Sequence, residues 1–182
     1  MGKANAEKAF RGFLSEQRPT LVLTCGFAGG LKPELRKGSV IFNVDPETEL
    51  SSALLAAGAK PGAFHCATHV ATTAAEKMAL HKATSADAVE MESGVIRDIC
   101  RATGIPAGTI RVILDSAEQD LPLDFNKLMT LDHRIDYGKL SISILKSPWK
   151  IPALLRLQKE GTAAAQQLAK LLNQVLLSRT SP

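Results

Sequence analysis

The chain has 182 residues, enough to bury a core of its own, and its 45% hydrophobic and 22% charged composition is that of an ordinary globular protein. A net charge of +4 comes from bases scattered along the chain and not interleaved with aromatics, which argues against nucleic acid as a partner. The three cysteines, Cys25, Cys66 and Cys100, include no Cys-x-x-Cys and accompany no His-rich cluster, so neither a disulfide frame nor a metal centre is expected, and the reading is of reduced, buried thiols in a cytoplasmic protein.

In chain order, Asn5 to Gln17 reads as a helix with Ala6, Ala9, Phe10, Phe13 and Leu14 on one face, stopped at Arg18-Pro19-Thr20. Leu21 to Thr24 reads as a short buried strand running into a glycine-rich turn, and Gly38 to Val44 as a second strand. A helix is expected over Glu49 to Ala57, ended by Gly58, then a strand over Ala63 to Ala67 and a helix over Ala74 to His81. Ala88 to Glu90 is a very short strand. Ser93 to Thr103 is a helix closed by Gly104-Ile105-Pro106, and Gly108 to Leu114 is an apolar strand ending at Asp115. Asp120 to Tyr137 is loop and helix, and Lys139 to Leu145 is helical. From about residue 150 to 177 runs an amphipathic helix interrupted near Gly161. No signal-peptide pattern and no apolar stretch of membrane-spanning length is present. The alternation of strands and helices predicts a single α/β domain over 1–182 with a central sheet.

Three acids stand at the strand ends: Glu90 and Glu92 around Met91, and Asp115. Sites of α/β proteins are built at such ends, and a buried acid is costly without a partner or a task. Asp115 reads either as an acid of raised pKa that delivers a proton or as a cap for backbone amides. Glu92 reads as a carboxylate for paired hydroxyls, Glu90 as its support. The alternative, first-turn acids favoured by the helix dipole, accounts for one exposed acid better than for two that flank a methionine. Gly26, Ala28, Gly29 and Gly30 allow close backbone approach to a ligand, or simply make a tight turn. Arg111, mid-strand, is expected to pair with an internal acid. His69 is a loop residue by position.

Leu21 to Leu31, Val89-Glu90-Met91-Glu92-Ser93 and Leu114-Asp115, in that order, resemble the nucleoside phosphorylase and nucleosidase superfamily, above all methylthioadenosine/adenosylhomocysteine nucleosidases. The likeness covers Gly2 to about Ala117, with Leu114 where the family usually has serine. It implies a three-layer α/β fold with a central mixed sheet flanked by helices, and cleavage of a purine nucleoside without cofactor or metal. Asp115 would act on the leaving base and Glu92 on the ribose. Ala28, Gly29, His69, Val70, Glu90 and Met91 would line the substrate, with His69 where relatives place an aromatic. Gly26, Phe27 and Gly29 would line a water or phosphate site. It also implies a homo-oligomer, most simply a dimer. Met1 to Ala6 resembles a segment that follows the family's opening strands. The resemblance therefore implies a shortened start, without the acid that positions the attacking water, and an open sheet edge covered by the tail or by self-association.

Leu121-Pro122-Leu123 and Leu145 to Arg156 resemble hopanoid-associated phosphorylase-like proteins of the same superfamily. Two rivals to hydrolysis follow. One is a phosphate-dependent phosphorylase, on a lipid-linked nucleoside if the tail resemblance holds. The other is a degenerate purine-binding or assembly subunit.

Overall fold

The computed structural model describes residues 2–130 and 136–180, the last two of these in backbone only. Six strands form one mixed sheet in the order β3-β2-β6-β1-β5-β4. They are β1 Val22–Gly30, β2 Val40–Val44, β3 Lys60–Pro61, β4 Phe64–Cys66, β5 Ala88–Glu90 and β6 Ala107–Asp115. β1 runs parallel to β6 along its length, while β2 and β5 run antiparallel to their neighbours β6 and β1. The expected α/β class and mixed sheet are therefore observed.

The helices are α1 Lys3–Glu16, α2 Ser51–Ala56, α3 Ala74–Thr84, α4 Ser93–Thr103, α5 Tyr137–Lys146 and α6 Ile151–Thr180. α6 lies on one face of the sheet: Ala164, Leu168, Leu171 and Val175 pack on Val40, Phe42, Ile110 and Val112. These four α6 residues recur at three- and four-residue intervals, so they share one stripe of the helix. The opposite face is covered by α4, whose Val95, Ile96, Ile99 and Cys100 are buried, and by Phe10 and Leu14 of α1. α3 starts on a capping box in which the Thr73 hydroxyl accepts from the Glu76 amide while the Glu76 side chain returns to the Thr73 amide.

Several expectations are corrected. The glycine-rich stretch after Thr24 is no turn: it continues as strand to Gly30, because β6 offers it a partner at every step up to Asp115. α6 passes through Gly161 without interruption; that glycine faces Leu114 at ordinary contact distance and is held by the helix on both sides. Residues 120–130 fold as turns rather than helix, and the rest of that predicted segment, 131–135, lies outside the described residues. Cys25 is exposed and Cys66 only half-buried, so of the three free thiols only Cys100 is a core residue. Of the tail leucines, Leu155 faces outward, away from the stripe that meets the sheet. Among the described residues, β5 pairs with β1 only at Gly29 and Gly30.

Candidate active site

The pocket lies where the ends of β1 and β6 meet β5. A register shift between Ala28 and Gly29 brings Gly29 opposite Asp115 on one side, while Gly29 pairs with Val89 on the other. A Cβ on Gly29 would sit 3.2 Å from the Val89 side chain and 3.3 Å from an Asp115 carboxylate oxygen, so glycine here is what lets the acid come so close to the backbone. The cavity of about 310 Å³ is lined by Phe27, Ala28, Gly29, His69, Val70, Glu90, Met91, Glu92 and Asp115. These are nine of the ten residues that the family resemblance assigns to the site. Gly26 is the exception. Its missing side chain makes room for Arg111, whose Nη1 lies 2.5 Å from where a Cβ would be. It is therefore a packing glycine beneath the site and is not part of the cavity lining.

Asp115 is buried, and burial pushes its carboxyl above the ordinary 3.8; the adjacent Lys77 opposes that rise. Among the described residues it accepts from no backbone amide, as a capping acid would. Its partner, Lys77 of α3, is wholly buried and donates to the carbonyls of Ser116 at 3.0 Å and Gln119 at 2.7 Å as well as contacting the Asp115 carboxylate. Sequence reasoning missed Lys77. Its one signal is spacing: it stands three residues before Leu80, which packs on the core, so both share the inward face of α3.

Glu90 is committed to structure on every side. Its carboxylate accepts from the Glu92 amide at 3.0 Å, the Ser93 amide at 2.7 Å, the Ser93 hydroxyl at 2.8 Å and Arg111 at 2.7 Å. Burial works to raise this acid, but the two amides, the Ser93 hydroxyl and the guanidinium outweigh it and hold the carboxyl below its ordinary value. Arg111 thus finds the internal acid expected of it. Glu92 stands at the start of α4, half-buried, with one carboxylate oxygen accepting from the Gly2 amide at 3.0 Å. Its other oxygen has no hydrogen-bond partner among the described residues.

The far wall was invisible in the sequence. Leu121, Phe125, Met129 and Leu157 close the cavity with apolar surface. The loop carrying Leu121, Phe125 and Met129 is held by Asn126, whose side chain accepts from the Val70 amide at 2.8 Å and donates to the Val70 carbonyl at 2.9 Å. His69 is exposed at the rim, its ring 3.4 Å from the Thr68 hydroxyl. The lining residues include three carboxylates and no lysine or arginine. Among the described residues no cluster of three or more His, Cys, Asp or Glu is arranged to hold a metal ion.

Residues 43–145 match the family model described as the phosphorylase superfamily. The chain is similar to the native futalosine hydrolase of Helicobacter pylori strain 26695, with a TM-score of 0.67 at 17% identity over 98% of this chain and 76% of that one. It is similar to the 5′-methylthioadenosine/S-adenosylhomocysteine nucleosidase of Helicobacter pylori with butyl-thio-DADMe-Immucillin-A, with a TM-score of 0.68 at 16% identity over 98% and 77%. The corresponding nucleosidase of Colwellia psychrerythraea 34H, in complex with adenine, gives 0.66 at 17% over 97% and 74%. A mutant futalosine hydrolase from Helicobacter pylori is matched over 66% of its length, so the chain spans roughly two thirds to three quarters of these structures. At such identities the likeness is one of fold.

Proposed function

The chain belongs to the phosphorylase superfamily, and from its pocket we propose that it cleaves the N-glycosidic bond of a purine nucleoside of the methylthioadenosine or adenosylhomocysteine kind, with water as acceptor and adenine as the leaving base. The observation that carries this reading is Asp115: a buried acid with a raised carboxyl, at a strand end, lining a nucleoside-sized cavity. A purine leaves as an anion unless a ring nitrogen is protonated. Asp115 in its acid form supplies that proton as the bond to the sugar breaks, and the bonding electrons go to the base. Burial keeps the proton on; the Lys77 ammonium stabilises the carboxylate that remains once it has gone.

Positive charge grows on the ribose as the base departs. Glu92, with one oxygen free of partners among the described residues, accepts from the ribose hydroxyls and follows that charge. Glu90, already saturated by Arg111 and the start of α4, positions Met91 and Glu92 rather than holding substrate itself. Phe27, Met91, Phe125 and Met129 offer apolar faces to the base and sugar, and Leu121 and Leu157 an apolar wall to whatever the 5′ carbon carries.

Water is favoured over phosphate by charge. A phosphate dianion entering the cavity would meet the Glu92 carboxylate and no lysine or arginine in the lining, because Lys77 and Arg111 lie behind it, committed to Asp115 and Glu90. The test is adenine release from methylthioadenosine by the purified protein, with and without phosphate. Release that is independent of phosphate is expected. Release only with phosphate would make the protein a phosphorylase, and adenine binding without turnover would make it a binding protein.

A further inference from the structure

α5 is rich in apolar residues, with Leu140, Ile142, Ile144 and Leu145 among its ten, yet none of its residues is fully buried. Successive residues of a helix are about 100° apart, so Gly138, Ile142 and Leu145 fall on one stripe, with Lys139 and Lys146 along its flank. Leu145 is 80% exposed. The 3₁₀ turn Pro148–Lys150 that follows carries Trp149, 72% exposed, and α6 opens with Ile151 and Leu155 facing outward. By the same helical spacing these two stand on the side of α6 opposite Ala164, Leu168, Leu171 and Val175, which grip the sheet.

The charge of this surface is mainly basic, with its acids at the margin: Asp136 precedes α5, and Asp120 and Glu160 line the depression beside Trp149, Glu160 being paired with Lys37 at 2.7 Å. Between Tyr137 and Lys159 the chain has five basic residues, Lys139, Lys146, Lys150, Arg156 and Lys159, and no acid. Lys139 reaches Asp136, just outside that span, at 3.9 Å; the other four have no acidic partner among the described residues. Exposed leucine, isoleucine and tryptophan interleaved with unpaired lysine and arginine make a surface with two demands: apolar material to bury the first and negative charge to meet the second.

We propose that α5, the Trp149 turn and the first turns of α6 form a docking surface for an anionic lipid bilayer. Lipid headgroups and the acyl boundary beneath them answer both demands at once: tryptophan sits at the headgroup level, the leucines reach below it, and the long lysine and arginine side chains extend to the phosphates. A second copy of the chain answers them poorly, because a two-fold contact would press this basic patch against itself. No described helix is long and apolar enough to cross a membrane, so the contact is a peripheral one. Leu157 lines both the nucleoside cavity and the depression beside Trp149, Pro152 and Arg156, so a bilayer seated here lies next to the cavity mouth.

Trp149 is the chain's single tryptophan, which gives the test a built-in probe. With vesicles of phosphatidylcholine and phosphatidylglycerol, the emission of the full chain should shift to the blue and be quenched by brominated acyl chains. With phosphatidylcholine alone it should barely change, and high salt should reverse the effect. The double variant Lys146→Gln with Lys150→Gln should partition about 25-fold more weakly, at about fivefold per charge removed. Leu145→Ser should also reduce co-sedimentation with unchanged far-ultraviolet circular dichroism. No shift and no sedimentation with anionic vesicles would overturn the proposal. So would an equal response to soluble polyglutamate, which would indicate an acidic protein partner, or a Trp149 shift that tracks protein concentration and a doubled mass without vesicles, which would indicate self-association.

Discussion

Lys77 holds its ammonium against the carboxylate of Asp115 inside the protein, and neither side chain has appreciable contact with solvent. On the mechanism above, this cation lowers the cost of Asp115 giving up its proton. Removing it should therefore raise Asp115 further. In Lys77→Met the alkaline limb of the pH–rate profile should move up by about 1–3 pH units, the usual effect of an opposite charge at this range. A limb that stays in place would separate Lys77 from the acid's titration.

The same raised carboxyl makes a prediction for stability. The native state holds the Asp115 proton more tightly than the unfolded chain does. Its contribution to stability is therefore fully present below the unfolded value near 3.8 and is lost as pH rises from there through the raised native value. Urea titrations across that window should find wild type losing stability relative to Asp115→Asn as pH rises. A relative gain would mean that Asp115 is held below its ordinary value in the folded protein.

Glu92→Gln should weaken nucleosides more than free bases, because its proposed partners are ribose hydroxyls. Losing a charge-assisted hydrogen bond costs about 1.5–3 kcal/mol. Calorimetry with adenosine and adenine measures both; equal losses for the two ligands would sink the ribose assignment.

Gly26→Ala separates packing from catalysis. A methyl group there meets Nη1 of Arg111 at 2.5 Å, while the bond to Glu90 is made by Nη2. Overpacking of this kind costs about 1–3 kcal/mol. The midpoint of chemical denaturation should fall while KM changes little, since Gly26 does not line the cavity. A large change in KM with unaltered stability would return Gly26 to the ligand site.

The residues whose place at the pocket was legible in the sequence are those that stand at a strand end. Asp115 closes a run of apolar β6 residues, and Glu90 and Glu92 bracket the point where β5 becomes α4. At such a place a charged side chain has few directions open to it. Arg111 was legible for a different reason, as a cation in the middle of an apolar strand that must find an acid. Lys77 was not, because on α3 it sits between Glu76 and Lys82 and reads as part of a solvated face; only the packing of Leu80 beside it turns that face inward. Gly26 and Gly29 look alike in sequence, yet one yields to a guanidinium and the other to a carboxylate. The apolar wall comes from Leu121, Phe125, Met129 and Leu157, whose meeting depends on the Asn126 clamp and the docking of α6, neither of which local pattern encodes.

The central claim is that Asp115 is the acid that releases the base. Its most direct measurement compares wild type and Asp115→Asn for adenine release from methylthioadenosine under single-turnover conditions, alongside calorimetric adenine binding by both proteins. The account predicts a loss of about two to four decades in the rate of release, the usual contribution of a positioned acid, with adenine binding largely retained. Unchanged release by the folded variant would contradict it and remove Asp115 from the mechanism.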